Sequence, residues 1–158
     1  MPKPKSPARP DRRSVHALDM RVFLPSAIML LAQKIAASAS ASYRPRFGVG
    51  LTDWRVLAAF GAEPWISPAR IADLSGLDKA AVSRALGGLR SAGLVESDGG
   101  PARRGGALAL TPAGLALHDR IAAAAAERER QLLEGFNAEE LALLRAFVAR
   151  LSDAADQI

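Results

Sequence analysis

The sequence predicts a mainly helical α+β protein, and three observations carry that prediction. Apolar residues make up 49% of the 158 but aromatic ones only 5%, so alanine and leucine must carry the packing, which suits helices better than sheets. Apolar positions recur at helical spacing along most of the chain, and cap residues and prolines stand where helices start. Strand-like alternation is confined to two four-residue stretches that flank a glycine-rich loop. A chain of this length holds one domain with a real core and an appendage, not two large domains.

Residues 1–13 carry Lys3, Lys5, Arg9, Arg12 and Arg13 among four prolines, a composition that cannot bury enough apolar surface to offset ordering entropy, so a disordered basic tail is expected. Helical patterning begins near Val15 and resumes after Pro25, which fits the first residue of a second segment with Ile28, Leu31 and Ile35 at helical spacing. From Ala36 to Ser42 alanine and serine alternate, a weak helix that packing must hold, and Pro45 is expected to end it. Thr52 is placed to cap the next helix, with Leu51 and Val56 at the positions of a hydrophobic staple and Val56, Leu57 and Phe60 as its buried stripe.

Ser67-Pro68 and Asp78-Lys79 are two further cap starts. Ile71 and Leu74 face inward on one short helix and Val82, Leu86 and Leu89 on the next, so two helices joined across a glycine turn share a small core. After Gly93, Leu94-Val95-Glu96-Ser97 and Ala107-Leu108-Ala109-Leu110 alternate like half-buried strands. The turn formers between them hold Arg103 and Arg104 near the tip, which reads as a β-hairpin with a basic loop, a wing. Thr111-Pro112 opens a helix that runs through Leu115 and Ile121 to Leu133, and Gly135 stops it. Asn137 and Glu140 form a capping box for a last helix with Leu141, Leu144, Phe147, Val148 and Leu151 inward.

This order is a winged helix-turn-helix lobe between long terminal helices. A helix can enter the major groove when its apolar stripe is anchored behind it and its opposite face carries donors with little bulk. Lys79, Ala80, Ser83 and Arg84 sit on the first turns of that helix, away from Val82 and Leu86. Arg84 suits a bidentate contact to guanine, Ser83 a base or a phosphate, and small Ala80 a thymine methyl, and Ser67 joins them as a DNA-facing candidate. Gly87 and Gly88 lie mid-helix, where each is less favourable than alanine by about 1 kcal/mol. Close approach to a sugar-phosphate backbone, tight packing and neutral drift all remain open as reasons.

The formal net charge is +5, but its distribution is uneven. Residues 1–13 contribute +4, 14–65 and 66–106 contribute +2 each, and 107–158 contribute −3. The tail therefore makes the chain basic, either as a solubilising segment or as a DNA-contacting arm. There is no cysteine, which excludes disulfides and thiolate metal sites. No cofactor or metal is expected, since His16 and His118 lack a surrounding carboxylate pattern. No nucleophile elbow, phosphate-binding loop or HExxH pattern occurs, so an enzyme is not expected. No apolar run approaches a membrane span and the basic, proline-rich start lacks a signal peptide's apolar stretch, so a cytoplasmic protein is expected.

Taken in order, Leu51-Thr52-Asp53-Trp54-Arg55-Val56-Leu57, Leu77-Asp78-Lys79-Ala80-Ala81-Val82-Ser83-Arg84, Gly93-Leu94-Val95 and Leu110-Thr111-Pro112-Ala113-Gly114 make the chain resemble the MarR family of winged helix-turn-helix regulators over roughly residues 24–151. The resemblance implies a homodimer that reads a pseudo-palindrome, with repression as the default. It divides the chain into the tail 1–13, N-terminal dimerisation helices 14–50, the DNA-binding lobe 51–111 and C-terminal dimerisation helices 112–158. Ile28, Leu31, Ile35, Leu144, Phe147 and Leu151 would meet across the two-fold axis. It also implies that Arg104 enters the minor groove with Arg103 beside it, although Ala102 stands where the family usually has a bracing aspartate. A small-molecule pocket for an aromatic acid is implied between the dimerisation helices and the lobe. His16, Phe23, Trp54, Arg55, Trp65 and His118 have suitable chemistry for it: flat apolar walls, and cations for a carboxylate. The competing reading is a winged-helix module that binds protein or RNA without small-molecule sensing.

Overall fold

The computed structural model describes residues 19–20, 22–63, 65–98 and 106–158. The tail, Val15, His16, Ala102, Arg103 and Arg104 lie outside the described residues. Contacts divide the chain into two units, residues 1–41 and 42–158. Among the described residues eight elements follow one another: α1 Leu24–Phe47, α2 Leu51–Ala62, α3 Pro68–Ser75, α4 Lys79–Ser91, β1 Val95–Ser97, β2 Leu108–Leu110, α5 Pro112–Leu133 and α6 Ala138–Ala155. The predicted fold class, mainly α with a small two-stranded wing, is the one observed.

In the first unit, the Asp19 carbonyl accepts from the N–H groups of Val22 and Phe23, and α1 begins one residue later with Pro25 in its first turn. Ile28, Leu31 and Ile35 are all exposed, while Ala39 is buried. The end of α1, from residue 42, belongs to the second unit, and there Pro45 does not end the helix as expected. It sits inside the last turn, which runs on to Phe47 and is closed by the Gly48 N–H on the Arg44 carbonyl at 3.0 Å. A proline this near a helix end removes one ladder bond without breaking the turns before it. With 24 residues and a mean hydropathy of 1.2 in its most apolar window, α1 is long and apolar enough to cross a bilayer by length and composition alone, which corrects the expectation that no segment approaches that length. The uninterrupted apolar run, residues 27–32, is short, but alanines extend the average beyond it. Lys34 near the helix centre opposes a span, at about 2.5–3.5 kcal/mol on insertion scales.

In the second unit, α2 starts one residue before the expected cap. Gly50 is the N-cap, and its N–H donates to the Asp53 carboxylate at 2.9 Å, so Thr52 lies within the first turn and the staple between Leu51 and Val56 shifts with it. Val56, Leu57 and Phe60 are buried as predicted, with Ala59 beside them. Ser67 caps α3 by accepting from Arg70 N–H at 3.2 Å, and Asp78 caps α4 by accepting from Ala81 N–H at 2.7 Å. Between them Gly76 takes φ +61°, the left-handed turn that a side chain resists. Ile71, Val82, Leu86 and Leu89 are buried together with Ala85, but Leu74, expected inward, is 39% exposed. An eight-residue helix has room for one full inward stripe, and Ile71 and Ser75 fill it.

The wing strands pair antiparallel with Val95 opposite Leu110, Glu96 opposite Ala109 and Ser97 opposite Leu108. Sequence reasoning missed a third participant: Ile66 bridges Leu108, with reciprocal backbone bonds of 3.0 and 2.8 Å. Thr111 caps α5 from Gly114 N–H and donates its own hydroxyl to the Gly93 carbonyl at 2.7 Å. Here α5 crosses so close that a Cβ on Gly114 would lie 1.9 Å from the Leu94 carbonyl oxygen. The Asn137–Glu140 capping box forms as predicted, with bonds of 2.9 and 3.0 Å. The apolar stripe of α6 is not inward within one chain: none of its residues is buried.

Candidate nucleic-acid interface and neighbouring aromatic cluster

Helix α4 is held by Val82, Ala85, Leu86 and Leu89, which fixes the face it offers. Lys79, Ala80, Ser83, Arg84, Gly87, Gly88 and Ser91 are all exposed, and apart from Lys79 and Arg84 they are small. Arg84 and Lys79 have no hydrogen-bond or ion-pair partner among the described residues, so their donors are available to an outside group. A Cβ added at Gly87 or Gly88 would meet nothing within 4 Å. Tight packing within the chain is therefore not the reason for either glycine. Ser67, engaged as a cap acceptor, keeps a hydroxyl hydrogen to donate outward. Beside it, Arg70 grips Glu63 through Nε at 2.9 Å and Nη2 at 2.6 Å, and this hydrogen bond holds the Glu63 carboxyl below its ordinary range.

Of the described residues expected around an effector, the structure brings two together and separates the rest. Trp54 on α2 and His118 on α5 come together, ring centroids 5.6 Å apart, and His118 Nδ1 lies 3.0 Å from the Asp119 carboxylate. Trp54 also meets the buried ring of Tyr43 edge-on at 6.2 Å, and Tyr43 meets Phe47 at the same distance. Arg55 is committed elsewhere. Its Nη2 donates to the Ser75 carbonyl and stands 3.2 Å from where a Cβ on Gly76 would be, tying α2 to the turn that precedes α4. Trp65 is exposed next to Ile66, the residue bridged to β2, and Phe23 is exposed in the first unit.

Next to the aromatic cluster, a cleft of about 820 Å³ is lined by the end of α1 (Ser42, Arg46 and Phe47) and by α5 from Arg120 to Gln131. Sequence reasoning assigned none of these residues to a site, because arginines and alanines on a helix surface carry no signal until a second helix faces them.

A helix-turn-helix followed by a short hairpin, with a donor-bearing second helix, defines a winged helix-turn-helix protein. The family model for MarR matches residues 47–104. The MarR/EmrR family transcriptional regulator of Acinetobacter sp. ADP1 is 33% identical, with 89% of this chain and 100% of that one covered and a TM-score of 0.82. The PcaV regulator of Streptomyces coelicolor, solved in complex with its natural ligand, is 24% identical, covers 88% and 98% of the two chains and has a TM-score of 0.72. BpsR of Bordetella bronchiseptica, whose DNA binding is regulated by 6-hydroxynicotinic acid, is 19% identical, with 82% and 98% covered and a TM-score of 0.71. No curated protein matches the chain. The chain belongs to the MarR family, whose members are transcriptional regulators rather than enzymes.

Proposed function

We propose that the protein is a sequence-specific DNA-binding repressor that acts in the cytoplasm as a homodimer on a pseudo-palindromic operator and is released by a small aromatic or phenolic effector. The observation that carries this reading is the exposed face of α4, where Lys79, Ser83 and Arg84 offer unpartnered donors beside small Ala80, over a stripe anchored by Val82, Ala85, Leu86 and Leu89. Arg84 reads a base edge, Ser83 and Lys79 take bases or phosphates, Ser67 takes a phosphate, and Arg103 and Arg104 reach the minor groove or the backbone. Dimer formation is supported by exposed Ile28, Leu31, Ile35, Leu144, Phe147 and Leu151, which one chain does not cover. Two recognition helices about 34 Å apart then meet successive major grooves. The effector reading rests on Trp54 and His118 beside the arginine-lined cleft, and ligand-responsive proteins of the same fold lend it weight.

Selection of bound sequences from a random duplex pool tests DNA binding, symmetry and half-site spacing together. The expected product is an inverted repeat whose affinity falls steeply with salt. In that assay Arg84→Ala relaxes sequence preference, whereas Arg104→Ala weakens binding to every sequence. Failure to retain any duplex at low salt would overturn the reading.

A further inference from the structure

We propose that the cleft between the end of α1 and the middle of α5 binds a small planar organic anion carrying two negative charges, held by Arg46 and Arg120. This deepens the effector reading above and depends on it only for the consequence at the operator. The cleft's 820 Å³ falls in the range of small-molecule sites, and Phe47, Ala123 and Ala124 give it a flat apolar wall. Guanidinium groups from two different helices converge on the same ring: Arg46 lies 5.1 Å and Arg120 5.6 Å from the Phe47 centroid. Arg128, 5.7 Å from the Tyr43 centroid, lines the same space.

The charge of this site is unbalanced for a specific reason. Glu127 is the one carboxylate among the lining residues, and it is already engaged by Arg130 at 2.7 and 2.8 Å and by Gln131 at 2.7 Å. Those bonds also hold its carboxyl below the ordinary range. Where a carboxylate is within reach elsewhere, as for Arg70 and Glu63, the arginine takes it. Arg46 and Arg120 have no hydrogen-bond or ion-pair partner among the described residues. The ring's negative face compensates two neighbouring cations only in part, and an anion placed between them relieves their repulsion. Each planar fork matches a carboxylate or phosphate in bidentate fashion, so two forks from two helices suit a dianion, either as two carboxylates on one flat skeleton or as one phosphate ester met from both helices.

The test is calorimetric titration of the full-length protein with isophthalate, phenyl phosphate, benzoate and neutral benzamide. The expected result is that at least one dianion binds about ten-fold or more tightly than benzoate, the worth of one charged hydrogen-bonded contact, and that benzamide does not bind. Preference between the two dianions identifies a dicarboxylate or a phosphate ester. Arg46→Gln and Arg120→Gln each narrow the advantage over benzoate, and Arg70→Gln, on α3, leaves it unchanged. Thermal midpoints of the variants confirm that they are folded. Equal affinity for benzoate and isophthalate, affinity that survives both substitutions, or no dianion binding at millimolar concentration overturns the proposal. Because binding is read without DNA, a protein that takes the dianion but no duplex sinks the repressor reading alone, and one that takes duplex but no dianion sinks the cleft alone.

Discussion

The winged lobe and helix α6 carry amphipathic patterns of the same kind, yet α2, α3 and α4 bury their stripes within the chain and α6 buries none of its residues. The difference lies in what each helix is tethered to. Helices α2 to α4 are joined by connections of a few residues, so their apolar faces fold onto one another. Helix α6 follows α5, which at 22 residues is about 33 Å long and buries only Gly114 and Ile121, both in its first half. The chain is carried past its own core before α6 begins. Helical periodicity therefore says that a face is to be covered, but not by what.

Substitutions can break this comparison or sharpen it. The largest effect is expected from Leu144→Ser with Phe147→Ser on α6, which removes roughly 3–6 kcal/mol of burial if a second copy covers that face. Sedimentation equilibrium should then show monomer where the parent protein is dimer. An unchanged molar mass would mean that α6 is not a subunit interface. Next comes Gly114→Ala, which forces backbone against backbone at the Leu94 carbonyl and should cost about 3 kcal/mol in urea denaturation. That loss should persist at high protein concentration, because the contact lies inside one chain. Arg84→Ala should reduce discrimination against the wrong base by about 1–3 kcal/mol, read by competition between operator and random duplex, without moving the thermal midpoint. Smallest is Gly87→Ala or Gly88→Ala, each expected to raise stability by about 0.5–1 kcal/mol because the new methyl group meets open space. If operator affinity falls in the same variants, close approach of DNA accounts for these glycines; if it is retained, it does not.

Much of the fold was legible because helix starts are local chemistry. Ser67, Asp78, Thr111 and Asn137 each cap the helix expected of them. The start of α2 was misplaced because a glycine cap offers no side chain to read, and the informative group, Asp53, reaches back from inside the helix. Pro45 misled because its cost depends on how near it lies to a helix end. The donor face of α4 was legible for the same local reason as the caps, since spacing turns Ala80 and Arg84 away from Val82 and Leu86, with Ser83 at the side, and Lys79 is the first residue of the helix. The arginine cleft was not, because it exists only where the end of α1 comes to face α5. Likewise Arg55 has the chemistry to hold a ligand's carboxylate, but the fold commits its guanidinium to the Ser75 carbonyl twenty residues away.

The bridge between Ile66 and Leu108 stitches the loop-side end of β2 to the residues that lead into α3, with only Ser67 between the bridge and the helix. The second wing strand and the start of α3 are thus cast in one piece. On the docking proposed above, a shift of the lobe along a duplex would carry α3 and the wing strands in step, leaving the spacing between two such lobes as the variable that regulation would tune.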